Sequence, residues 1–146
     1  MYKKILVPLD GSPRAEAILA HVEGLAACVE ATVILLQIVE PHIVYTSPYD
    51  AYSELNQAEA QRREEQVKAY LAGWQEKLAA KGIDTHWRAE YGPVVLTILD
   101  VAASEEVDLV AMASHGRSGL ARVFYGSVAA GVLNRIDRPL LLIRSG

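Results

Sequence analysis

Between Val107 and Arg144 the sequence reads VDLVAMASHGRSGLARVFYGSVAAGVLNRIDRPLLLIR, and its residue types are those that can hold an anion. An apolar run, Val107 to Met112, gives way to Gly116, Gly119 and Gly126, and a helix is expected from about Ser127. Glycine lets the backbone approach a ligand closely, and the first-turn amides of a helix, together with its dipole, favour negative charge. Phosphate is the first ligand to consider. Taken singly, Ser127 is more often a helix cap and Gly126 a tight turn; together at this spacing they shift the balance toward a phosphate site. Arg117 and Arg122 are candidates to reach phosphate oxygens, although a solvated arginine is the commoner state on a polar loop.

Other chemistries are excluded by reading. There is no GxxxxGK[ST] and no GxGxxG after the first strand, and around Ser118 the chain falls one residue short of the GxSxG of a nucleophile elbow. His21, His42, His86 and His115 are dispersed without metal-ligand spacing, so no metal site is expected. Asp10 ends a strand as a phosphoacceptor would, but a receiver domain needs that carboxylate after its third strand, where this chain has Glu90 and Tyr91. The lone Cys28 leaves neither an internal disulfide nor a CxxC site.

The elements that must position the glycine-rich stretch follow from periodicity. Lys4 to Leu9 is an unbroken apolar run, the pattern of a strand covered on both faces, and Asp10, Gly11, Ser12 and Pro13 end it and start a helix. Ala15, Ile18, Leu19, Val22, Leu25 and Val29 recur at helical spacing, predicting one helix to about Cys28. Thr32 to Val39 is a second buried strand, and Pro41 to Tyr52 reads as a loop. Ser53 to Lys81 favours helix, with an apolar stripe only in its second half (Val67, Tyr70, Leu71, Trp74, Leu78); the first half is read as a solvated face. Gly82 stops that helix, Ile83 to Glu90 is an edge-side third strand, Gly92 and Pro93 open a third helix, and Leu140 to Ile143 is the last strand.

Five strands alternating with four helices call for a doubly wound α/β domain: a five-stranded parallel sheet with right-handed crossovers and helices on both faces. The order 3-2-1-4-5 would bring Asp10 and the glycine loop to one crevice. The 146 residues suit a single domain spanning 1–146, and 51% hydrophobic against 22% charged residues suits a folded core. A net charge of −4 provides no broad basic footprint for nucleic acid or an anionic membrane. The apolar run before Asp10 is too short for a signal peptide or a membrane span, so a soluble cytoplasmic protein is expected.

With KKILVPLDGS, VILLQIVEP, VDLVAMASHGRSG and GSVAAGVLNRIDRPLLLIR in these positions, essentially the whole chain resembles a universal stress protein. The nucleotide-binding branch of that family carries G-x2-G-x9-G-[ST], whose positions fall here on Ala113, Gly116, Gly126 and Ser127, with alanine in place of the first glycine. A left-handed backbone there would strain the alanine; a position needing only a small residue would not.

The resemblance implies an ATP, ADP or AMP site, with Mg2+ carried on the phosphates where it is present. It would place Pro8, Leu9 and Asp10 beside the ribose and adenine, Ile38 against adenine, and Met112 and Ala113 along the nucleoside. Ser114, His115, Gly116, Arg117 and Gly119 would lead to the phosphates, and Gly126, Ser127 and Val128 would close over them. It also implies a homodimer paired through strand five (Leu140, Leu141, Leu142, Ile143), and it leaves room for a protein partner the sequence does not identify. No catalytic residue is assigned. A slow ATPase and a nucleotide-free dimeric interaction module stand as the alternatives to a nucleotide-binding regulatory protein.

Overall fold

The N-terminal apolar run forms β1 (Lys4–Pro8), and burial explains its lack of alternation: Ile5, Leu6 and Val7 have no exposed surface, so both faces of the strand are covered. The computed structural model describes residues 1–39, 54–115 and 126–145. The Pro41 to Tyr52 segment and Gly116, Arg117, Gly119 and Arg122 lie outside them. Ser12 caps α1 (Pro13–Glu16) by accepting the Ala15 amide on its Oγ at 3.2 Å, with Pro13 in the first helical position.

The single helix expected here is interrupted at Ala17, whose amide bonds the Arg14 carbonyl three residues back instead of continuing the four-residue ladder. The apolar spacing carries across this break unchanged, and α2 (Ile18–Val29) buries Ile18, Leu19, Val22 and Ala26.

The remaining elements are β2 (Thr32–Val39), α3 (Glu54–Ala79), β3 (Thr85–Tyr91), α4 (Val94–Ser104), β4 (Leu109–His115), α5 (Ser127–Arg135) and β5 (Leu140–Ser145). All strands are parallel, as the βα alternation requires, and β1 adjoins β4 in the order β3-β2-β1-β4-β5. Two apolar layers sandwich the sheet. Ile5, Val7, Val33 and Leu35 face the side covered by α1, α2 and α3, whereas Leu6, Ile34, Leu36 and Val110 face α4 and α5. β4 runs three residues beyond the Met112 boundary read from sequence. Ala113, Ser114 and His115 keep their ladder with Ile143, Arg144 and Ser145 of β5, so the neighbouring strand prolongs β4 where the local sequence signals its end.

The amino ends of the strands are fastened by polar contacts. Asp108 Oδ2 accepts the amides of Lys3 at 2.7 Å and Lys4 at 2.9 Å, tying β1 to the start of β4. Arg138 donates from Nη1 to the carbonyls of Ala102 at 2.8 Å and Val107 at 3.1 Å, tying the approach to β5 to the end of α4. On the α4/α5 side the helices approach closely at Gly131, where a β-carbon would stand 2.7 Å from Val95 Cγ2. Gly131→Ala should therefore force Val95 aside and cost about 1–3 kcal/mol of unfolding free energy. Urea denaturation of the two proteins checks this; equal midpoints would mean that the helices separate without cost.

Candidate functional site

The chain leaves β1 for β2 on one side and returns to β4 on the other, so the carboxyl ends of β1 and β4 lie side by side with their connections diverging. A crevice has to open at such a point. Here it is a cavity of about 650 Å³, within the range of small-molecule sites.

The cavity has walls of different character. Toward α4 and α5 it is apolar: Ile38 at the end of β2, Val94 and Ile98 from α4, Met112, and Val128 and Ala129 from the first turn of α5. Toward α3 it is polar, with Gln37, Arg62, Arg63 and Gln66 alongside Val67 and Tyr70, and Gly11 and Arg14 beneath them. Pro8, Leu9, Asp10 and Ala113 lie where the two parts meet, and Gly126 and Ser127 border it.

The start of α5 determines what the cavity offers chemically. Gly126 occupies the cap position at φ 81, a left-handed conformation that favours glycine, and among the described residues no side chain caps the helix. Ser127 is the first helical residue, one place too late to be the cap the sequence suggested. The first intrahelical bond runs from the Ala130 amide to the Gly126 carbonyl at 3.0 Å, so the amides of Ser127, Val128 and Ala129 have no acceptor within the helix. All three residues line the cavity.

Asp10 is held by its own turn. Its Oδ1 accepts the Ser12 hydroxyl at 2.5 Å and the Ser12 amide at 2.9 Å, and Arg14 Nη2 donates to Oδ2 at 3.2 Å. Partial burial pushes the carboxyl up, but the Ser12 hydroxyl and amide and the Arg14 charge outweigh it and hold the group below its ordinary value. On the α3 wall, Tyr70 donates its hydroxyl to Glu16 Oε2 at 2.5 Å, and burial followed by that carboxylate raises its pKa.

Of the sequence-derived site residues, Pro8, Leu9, Asp10, Ile38, Met112, Ala113, Gly126, Ser127 and Val128 border this one cavity. Ala113 sits inside β4, opposite Ile143, and is absent from the residues with positive φ, so the alanine carries none of the strain its motif position raised. Ser114 is 1% exposed and spends its hydroxyl on the Ile143 carbonyl at 3.2 Å, away from the cavity lining. His115 is the last residue of β4.

A model of the universal stress protein family matches residues 1–144. The chain belongs to that family. Universal stress protein MJ0577 of Methanocaldococcus jannaschii is 27% identical over 99% of this chain and 96% of its own length. Its solved structure superimposes with a TM-score of 0.83, covering 100% of this chain and 98% of that one. A universal stress protein solved in complex with cAMP shares the fold at a TM-score of 0.70 and 20% identity, over 99% and 98% of the two chains. An Arabidopsis thaliana family protein with AMP bound does so at 0.67 and 15%, over 99% and 92%.

The α3 wall was missed in reading the sequence. Its signal was present: counting four back from Val67 and Tyr70 reaches Arg63 and Gln66, so the apolar stripe continues upward as a polar one.

The depressed Asp10 pKa has a sign. Its folded value lies below its unfolded one, near 3.9, so its contribution to stability is present above about pH 4 and is lost as pH falls toward the folded value. Comparing Asp10→Asn with the native chain by urea unfolding from pH 6 to pH 3 should show a stability gap that closes below about pH 4. A gap independent of pH would place the stabilisation elsewhere.

Proposed function

We propose that the protein is an adenine-nucleotide-binding regulatory module of its family, the whole chain acting as one binding domain. The observation that carries this reading is the uncapped first turn of α5 opening into the cavity beside an apolar wall. Free amides and a helix dipole suit phosphate, and an aliphatic surface built from Ile38, Ile98 and Met112 suits a flat heterocycle. The cAMP and AMP complexes of structural relatives support adenine as that heterocycle.

In this reading Ile38 covers the base, Met112 and Ala113 flank the nucleoside, and Asp10, beside Pro8 and Leu9, faces the ribose. Gly126, Ser127 and Val128 take the phosphates, which are those of ATP, ADP or AMP, with Mg2+ where the phosphate chain recruits it. The role is binding and not turnover. Asp10 is the sole carboxylate among the described residues lining the cavity, and its lowered pKa makes it a weak base.

β5 supports a second part of the reading, a homodimer. It is one of the two edge strands of the described sheet, and Leu140, Leu141, Leu142 and Ile143 are only partly buried although they face both core layers. An apolar edge of this kind calls for a covering partner. Sedimentation should give twice the chain mass of 15.9 kDa at micromolar concentration, and a monomer would contradict the pairing.

Calorimetry tests the site. Nucleotide-stripped protein should bind AMP and ATP. Gly126→Asp, which strains the cap position and sets a carboxylate before the amides, should abolish binding. Ser127→Ala should weaken it by about 1 kcal/mol, the share of one hydroxyl, with little loss of stability because Ser127 is not the cap. No heat and no thermal shift with either nucleotide would refute the reading.

A further inference from the structure

Two buried side-chain atoms among the described residues have no hydrogen-bond partner, Gln37 Oε1 and Arg63 Nε. Both residues line the same cavity, on its α3 side, away from the start of α5. Buried polar atoms are paired in the great majority of cases, so an acceptor and a donor left over on one wall, the latter on an arginine whose side chain is 40% exposed, can both serve a polar group entering the cavity.

The charge of the wall narrows that group. Arg14, Arg62 and Arg63 line it, and Arg14 is engaged by Asp10. Arg62 takes Glu59 through Nε at 3.1 Å and Nη2 at 2.6 Å, which leaves Arg63 Nε 3.9 Å from the same carboxylate, beyond hydrogen-bond reach. Among the described residues that line the cavity, three guanidinium groups stand against one carboxylate, Asp10, while Glu59 and Glu16 are bonded to Arg62 and Tyr70 of the wall. This lining favours an anion over a cation. A second base is disfavoured, because the one ring among the described residues of this wall, Tyr70, is fixed by its bond to Glu16.

We propose that the α3 wall is a second anion subsite and that it takes a phosphate carried on the ribose next to a free hydroxyl, so that the ligand class is a nucleoside 3′,5′-bisphosphate. The 5′-phosphate lies at the α5 amides, the 3′-phosphate accepts from Arg63 Nε, and the adjacent 2′-hydroxyl donates to Gln37 Oε1. Both orphans are then satisfied, and a negative group meets the arginine-rich lining. The assignment of the 5′-phosphate rests on the nucleotide-binding reading; the anion subsite itself does not.

The test is calorimetry with AMP, adenosine 3′,5′-bisphosphate and inorganic phosphate on the native chain, Arg63→Gln and Gly126→Asp, with thermal unfolding as the check that each variant folds. The native chain should prefer the bisphosphate over AMP by about tenfold or more, since a charge-assisted bond is gained, and in Arg63→Gln that ratio should fall to near one. Equal affinity for the two nucleotides in the native chain, or a preference that survives Arg63→Gln, overturns the proposal. Inorganic phosphate separates this failure from failure of the nucleotide reading. Heat that persists in Gly126→Asp and disappears in Arg63→Gln supports the subsite even if AMP does not bind. Phosphate binding indifferent to Arg63, or no binding of phosphate to either variant, overturns it.

Discussion

A helix that begins on glycine at φ 81 has no side chain with which to satisfy its first turn, and three amides of α5 are left pointing along the helix axis toward the carboxyl ends of β1 and β4. Ser12 caps α1 within its own turn, whereas α4, which starts after Pro93, has no side-chain cap either; what distinguishes α5 is that its first three residues line the cavity. The reversal of strand order between β1 and β4 sets the α5 amides at the crevice where the two strand ends adjoin. Everything else in the fold serves to hold this end steady. Asp108 and Arg138 fasten the opposite end of the strands, and the close approach of Gly131 to Val95 seats α5 against α4.

The cavity above the sheet is divided because the two faces of the sheet are covered by helices of different character. α4 and α5 bring aliphatic side chains to the rim, which suits a heterocycle, whereas the upper half of α3 brings arginines and amides. Neighbouring residues of β2 show the division directly. Ile38 points into the apolar part and Gln37 into the polar part, as alternation along a strand dictates. Asp10 sits between them, its carboxylate bonded by Ser12 and Arg14, which keeps the negative charge of the rim turned toward its own turn.

Long, two-sided apolar runs made the sheet legible in the sequence. The bounds of β2 are those its β-branched run suggests, Thr32–Val39, and parallel strands follow from βα alternation, whereas the order 3-2-1-4-5 needed the further supposition that β1 adjoins β4, which the sheet bears out. Signals were misread where a non-local partner decides the outcome. β4 reaches His115 because β5 continues beside it, and Ala113, a doubtful fit to a glycine motif on paper, is comfortable because strand pairing keeps its backbone extended. The glutamate and arginine pairs of α3, Arg62 with Glu59 and Lys68 with Glu64, have the spacing of a solvated helix. Only the position of that helix over β2 and β3 turns one of its polar edges into a wall of the site.

The central claim is that the uncapped amides at the start of α5 are where phosphate binds. The most direct measurement is a residue-resolved titration of AMP into isotopically labelled protein, following backbone amide resonances. The account requires the largest changes at Ser127, Val128 and Ala129, saturating together with those of Ile38 and Met112. Saturable binding that leaves those three amides unmoved, or no binding at all, would contradict it.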